Sequence, residues 1–263
     1  MKILFFSATG NSLWVAKKLS GEILSIPKLE RDMNYEIESD VIGIVCPIYG
    51  LGIPKLVAKY LCKVKIKADY IFAVLTYGKW AGDAAYTMQQ LLARNGNNLD
   101  YAATLLMLDN FLPVFTMEEE LAKLPEKDVA VHFAQIKQDI TAHKIGIQRG
   151  KVDLPKDISQ IMSTMKNQSV LESASNKNVS IIAADRYSVK DVCTGCGICE
   201  KLCPVGNIIV KDHPEWGSIC EGCLSCVHNC PQSAIWVKGE RGKARYRHSE
   251  ITVAELIKAN STE

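Results

Sequence analysis

Eight of the ten cysteines in this 263-residue chain fall between Cys193 and Cys230, and only Cys46 and Cys62 lie elsewhere. The eight form two runs, Cys193-x-x-Cys196-x-x-Cys199-x-x-x-Cys203-Pro204 and Cys220-x-x-Cys223-x-x-Cys226-x-x-x-Cys230-Pro231, with every cysteine and both prolines displaced by the same 27 residues. Without a secretion signal, thiols this dense read as metal ligands and not as a disulfide scaffold. A structural zinc site also uses Cys-x-x-Cys pairs. Zinc, however, needs four ligands and gains nothing from a third cysteine two residues on, from a Cys-Pro end, or from duplication at a constant offset. The spacing therefore favours iron-sulfur clusters, whose chemistry is the transfer of single electrons. Gly195, Gly197 and Gly222 leave room for main-chain N–H groups to approach the sulfurs. Cys46 and Cys62 sit at the ends of an apolar strand and an apolar helix and read as small hydrophobic residues.

The doubled run resembles that of bacterial two-cluster ferredoxins, in which the fourth cysteine of each run ligates the other cluster. The resemblance implies one 4Fe-4S cluster on Cys193, Cys196, Cys199 and Cys230, and a second on Cys220, Cys223, Cys226 and Cys203.

The first 150 residues must position whatever else the chain carries. Apolar strand-like runs at residues 2–6, 23–26, 41–46, 70–75 and 102–108 alternate with helical patterns at 12–19, from Pro54 to Leu61, and at 84–94 before Asn95-Gly96. Val129, Phe133, Ile136 and Ile140 then mark one face of a further helix. Strands alternating with helices imply a doubly wound parallel sheet covered on both faces, with ligands bound at the carboxyl ends of its strands.

The first of those strand ends is Ser7-Ala8-Thr9-Gly10-Asn11-Ser12. Its hydroxyls, its amide and the free N–H groups of a helix start would suit a phosphate dianion, although the same residues also make a good turn and N-cap. No Walker lysine follows and there is no G-x-G-x-x-G, which disfavours nucleoside triphosphate hydrolysis and a dinucleotide fold. Thr9-Gly10-Asn11-Ser12 after a first strand resembles the phosphate loop of flavodoxins, which bind FMN. That resemblance implies strand order 2-1-3-4-5, with Ser7, Thr9, Gly10, Asn11 and Ser12 around the phosphate. It also implies contacts to the isoalloxazine ring from Pro47, Ile48, Tyr49 and Gly50 and from Thr76, Tyr77, Gly78 and Gly82, with Trp80 as a neighbour.

The two halves together resemble a group of flavodoxin and ferredoxin fusion proteins, supported more weakly by residues 108–113 and 239–248. The implied organisation is a flavodoxin-like FMN domain at 1–150, a connector at 151–185 with a helix near 158–165, a small α+β two-cluster ferredoxin domain at 186–238, and a basic tail with a helix at 239–263. The implied role is electron transfer between low-potential partner proteins, with two 4Fe-4S clusters and FMN as cofactors. Two other readings stand beside it. The flavin could reduce a quinone or nitro compound with Asp109 as proton donor, or Asp109 and Asn110 could only shape a turn. Alternatively, the first half could have lost its flavin and serve as a docking domain for a ferredoxin.

Composition sets outer limits. Hydrophobic residues at 48% and charged residues at 23% describe a folded globular chain. A formal charge of +2 argues against a nucleic-acid-binding surface. Two clusters and one phosphate would bring that charge to roughly −4, favouring partners with basic patches. Against this trend, Arg241, Lys243, Arg245 and Arg247 alternate and would share one side of an extended strand, a docking surface or a solvated edge. His132 and His143 are eleven apart and read as solvated. No apolar run reaches the roughly 20 residues of a membrane helix, and a cytoplasmic location is expected.

Overall fold

A computed structural model of the chain describes residues 1–148 and 184–261; the connector and its expected helix fall outside the described residues. The first part is built on β1 (Lys2–Phe5), β2 (Glu22–Ser25), β4 (Val41–Pro47), β6 (Tyr70–Tyr77), β7 (Tyr101–Leu106) and β8 (Gly146–Ile147), which form one parallel sheet in the order β2-β1-β4-β6-β7-β8. The first five stand in the expected 2-1-3-4-5 order, and the two-residue β8 adds a sixth beside β7. Two further strands, β3 (Glu36–Glu38) and β5 (Lys65–Lys67), pair only with each other, outside the sheet.

Strand alternation divides the interior in two. Leu4 and Phe6 face a core with α3 (Lys55–Leu61) and α4 (Ala84–Ala93), joined by Ile26 and Leu29 of α2 (Ile26–Arg31). Ile3 and Phe5 face the opposite core with α1 (Asn11–Lys18) and α6 (Val129–Thr141). On α6 the expected stripe is in place, with Phe133, Ile136 and Ile140 buried. The C-terminal helix Val253–Asn260 returns to this second core through Leu256 and Ala259. Its start is a capping box in which Thr252 and Glu255 satisfy each other's backbone N–H groups.

The cysteine-rich part obeys the 27-residue repeat in three dimensions. Strand β9 (Tyr187–Val189), helix Ile198–Lys201 and strand β10 (Ile208–Val210) are followed by β11 (Pro214–Trp216), helix Ser225–His228 and β12 (Ile235–Val237) at that offset. The halves interlock: β9 pairs antiparallel with β12, and β10 with β11. Even the backbone repeats, because Gly197 (φ 74°) and its counterpart Leu224 (φ 56°) both take the left-handed conformation before the helix that carries the third cysteine. A leucine tolerates that strain only where neighbours hold it, and Leu224 is buried.

This part sits on the carboxyl ends of the parallel strands. Its core extends into the first part through Leu108, Leu112 and Met117, the last opening α5 (Met117–Lys123). The segment after β7 is thus a wall of the cysteine-rich core.

Candidate functional site

The interlocked repeat gathers the eight cysteines into two pockets of similar size, about 340 and 310 Å³. Cys193, Cys196, Cys199 and Cys230 line the first; Cys203, Cys220, Cys223 and Cys226 line the second. Each pocket therefore combines three cysteines of one run with the fourth of the other. Among the described residues no three His, Cys, Asp or Glu side chains converge closely enough for a single metal ion. The four cysteines of each set line one shared volume. Main-chain donors repeat with them: Asn207 N–H donates to Cys203 Sγ at 3.2 Å and Ala234 N–H to Cys230 Sγ at 3.3 Å, again 27 residues apart. Gly222 N–H donates to Cys220 Sγ at 3.4 Å. These contacts and the donor set fit thiolate-ligated iron-sulfur clusters. Burial pushes the Cys199 thiol up to about 11 when protonated, so a bound cation is what would hold it as thiolate.

The two pockets differ in surroundings. Cys196 of the first is exposed, whereas the second is backed by the parallel sheet, with Val205 and Cys223 packed against its core. Glu221, 8% exposed between Cys220 and Cys223, accepts the Leu56 N–H at the start of α3, at 3.3 and 3.2 Å from its two oxygens. Burial lifts its carboxyl to about 7, against the Leu56 and Lys55 N–H groups and the Lys55 ammonium. Tyr187 stacks on Trp216 at 5.1 Å and brings its hydroxyl to 3.5 Å from Cys220 Sγ.

Loop 7–12 joins β1 to α1 as expected, but it is buried throughout, with Ser7 2%, Thr9 3% and Asn11 8% exposed. Its polar groups are taken up by the chain. Ser12 Oγ and Thr76 Oγ1 are 2.8 Å apart, Asn110 donates to Thr9 Oγ1 at 2.5 Å, and Tyr246 donates its hydroxyl proton to Asn11 Oδ1 at 2.6 Å. Ser225 Oγ donates to Ala8 O at 2.9 Å, and His248 N–H to Thr9 O at 2.8 Å. A Cβ on Gly10 would stand 2.9 Å from His248 Cβ and 3.0 Å from Ile251 Cβ. The outer face of the loop thus presents carbonyl acceptors and packed side chains where a phosphate dianion needs donors and space. Ser7, Thr9, Gly10, Asn11 and Ser12, expected around a phosphate, are brought together in this loop, and its outer face is covered by the chain itself.

Several of the residues expected around a flavin ring are likewise packed on the protein itself. Tyr49 meets Phe6 edge-on at 6.2 Å and packs with Cys223 against the sheet core; burial, with Cys223 and Glu221 nearby, raises its hydroxyl pKa. Ile48 N–H bonds Thr76 O at 2.8 Å, and Pro47 pairs with Thr76 in the sheet register. Gly50 is exposed, Tyr77 half-buried, and Gly82 lies against Leu51. Trp80 carries the Lys79 ammonium 4.8 Å from its ring centre. Gly78 packs so tightly that a Cβ would fall 2.2 Å from Asp109 Cα.

Asp109 Oδ1 accepts the Phe111 N–H at 3.1 Å, a turn-shaping role. Burial first, and Glu120 after it, raise its carboxyl to about 6, opposed by the Phe111 N–H and by Lys127 and Lys79. Its folded pKa is above the unfolded value, so stability falls as pH rises from about 4 through 6. Asp109→Asn keeps the acceptor and removes the charge. We expect its melting temperature, relative to the parent, to rise by a few degrees between pH 5.5 and 7.5; an equal difference at both pH values would refute the assignment.

Arg245 corrects the expectation of four cations along one edge. Residues 239–248 contain no strand, and Arg245 folds back to Glu240 at 2.9 Å with both side chains nearly covered. His132 contacts the Lys127 carbonyl at 3.2 Å and His143 stacks on Tyr70 at 4.5 Å. The sequence reading overlooked Glu221, His228 and Tyr246, for which no motif gives a signal. His228 Nε2 lies 2.8 Å from Asn110 O and its Nδ1 accepts the Tyr246 N–H at 3.1 Å, which defines a neutral imidazole with the proton on Nε2. Burial lowers its pKa to about 4.

Residues 187–209 match the 4Fe-4S binding domain, covering β9, the first cysteine run and most of β10. No curated protein matches the chain. The fold and the match define a parallel α/β structure carrying an iron-sulfur domain of ferredoxin type, with an electron-transfer role. No described helix is long and apolar enough to cross a membrane.

Proposed function

We propose that the chain is an electron-transfer protein that holds two 4Fe-4S clusters and passes electrons singly between redox partner proteins. The observation that carries this reading is the pair of four-cysteine pockets related by a 27-residue repeat, of which the domain match covers one run. When bound, a cluster of this type takes up and releases one electron at a time. The residues of the chain supply ligands, backbone donors to the sulfurs, and a stacked Tyr187–Trp216 wall that limits water at the second pocket. No side chain has to act as nucleophile. The sheet serves as the bed on which the second pocket rests, and the first pocket, with Cys196 exposed, faces partners.

Two oxidised clusters, each contributing about −2, turn the formal +2 into roughly −2, so docking to a basic patch should weaken with salt. FMN as a third centre, and reduction of a quinone at it, both need loop 7–12 open, and the hydrogen bonds laid across that loop favour the reading without flavin. Purification under anaerobic conditions followed by iron and acid-labile sulfide analysis tests the proposal. About eight of each per chain are expected for two 4Fe-4S clusters. About four of each, or stoichiometric zinc, would sink it.

A further inference from the structure

Loop 7–12 is covered by a segment that the rest of the site does not explain. Residues 246–251 leave the cysteine-rich part, cross the top of α1 and deliver the chain to the C-terminal helix. Their contacts are directional. The Tyr246 hydroxyl donates to Asn11 and the His248 N–H to Thr9 O. The His248 ring stacks on Trp14 at 5.2 Å, and Glu250 accepts from Trp14 Nε1 at 2.7 Å while pairing with Lys18 at 2.8 Å. Beyond the segment, Glu255 meets Lys17 at 2.5 Å and Asn260 donates to Ser7 O at 3.2 Å. Successive carbonyls of Ser7, Ala8 and Thr9 thus each accept from the C-terminal half. Gly10, at φ 105°, has no side chain, and His248 and Ile251 close over it.

We propose that loop 7–12 is the socket for the chain's own residues 246–251, and that this occupant excludes FMN. The polarity of the contacts decides between the two ligands. A peptide segment brings N–H and O–H donors to outward carbonyls; a phosphate brings only acceptors. A loop of flavodoxin type has thereby become an intramolecular latch that fixes the ferredoxin part over the strand ends. The chain is then limited to the one-electron chemistry of its cysteine pockets.

The test uses the full chain, purified anaerobically. FMN fluorescence is titrated with protein to tens of micromolar, and amide hydrogen exchange is followed at His248. The expected result is no FMN in the purified protein, no saturable quenching, and slow exchange at His248. Tyr246→Phe removes one hydrogen bond of the latch and should speed that exchange about tenfold; quenching of FMN by this variant alone would also support competition for the socket. Stoichiometric FMN in the parent protein, saturable quenching by it, or exchange at His248 as fast as in a free peptide would overturn the proposal. None of these readouts depends on iron content, so they separate this proposal from the two-cluster reading.

Discussion

Replacing Cys203 with alanine should remove the iron held by the run that starts at Cys220, and leave that of its own run in place. The reason is the interlocked topology. Strand β10 follows Cys203 and pairs with β11 of the other half, which carries the end of the first run to the second pocket, where Cys203 stands with Cys220, Cys223 and Cys226. By the same repeat, Cys230 crosses to Cys193, Cys196 and Cys199. Each single variant should fall from about eight irons to about four. Pairs of substitutions identify which four. If Cys203 belongs with Cys220, removing both costs no more iron than removing one; removing Cys203 with Cys193 strips both pockets and leaves almost none. Iron analysis of the two double variants that gave the reverse pattern would show that each run closes on itself. The singles should also differ in stability. Loss at the second pocket loosens the packing of Val205 and Cys223 against the sheet core, whereas loss at the exposed first pocket leaves that interface intact.

How much of this was legible in the sequence depended on whether the determinant was local. Cysteine spacing is set by the size of the group the thiolates wrap, so both pockets could be read from a few tens of residues. Strands β1, β4, β6 and β7 were legible because burial on both faces makes them continuous apolar runs. Shorter pieces left no such trace. Glu36-Ile37-Glu38 and Lys65-Ile66-Lys67 each offer a single apolar residue, and only their parallel pairing makes them strands. Ile26 was read as the end of β2, yet it opens α2, because Ser25 caps that helix and Pro27 sits in its first turn. The Glu-rich α5 was missed because its burial, through Met117, is against the distant cysteine-rich core. The widest gap concerns loop 7–12. Its composition marked a polar strand-to-helix loop correctly, but the partner of Asn11 is 235 residues away. Loop chemistry that suits a phosphate suits a docked peptide as well, and only the fold shows which one the chain supplies.

Glu221→Ala is expected to lower stability by about 3 kcal/mol, because two buried first-turn N–H groups, of Lys55 and Leu56, lose their acceptor at about 1–3 kcal/mol each. Glu221 reaches from the cysteine-rich part onto the start of α3, where both its oxygens lie within 3.3 Å of the Leu56 nitrogen. Pro54 precedes that helix with no side-chain cap of its own. Truncation therefore leaves the first-turn N–H groups without an acceptor in a buried interface. It also strands the Lys55 ammonium, whose nitrogen is buried without a hydrogen-bond partner among the described residues and is favoured electrostatically by Glu221. For a chain of this size the main melting transition should drop by roughly 6 to 12 °C. Glu221→Gln retains an oxygen of the right reach and should lose less than half as much, which separates the acceptor role from simple loss of volume. All eight pocket cysteines remain in both variants, so iron content is an independent check that the clusters assembled. If the alanine variant melted within a degree of the parent at full iron content, Glu221 would not be what seats the ferredoxin part on the sheet, and the bed under the second pocket would rest on the remaining contacts, among them those of Ser225 and Asn229 with Ala8, of His228 with Asn110, and the packing of Val205 and Cys223.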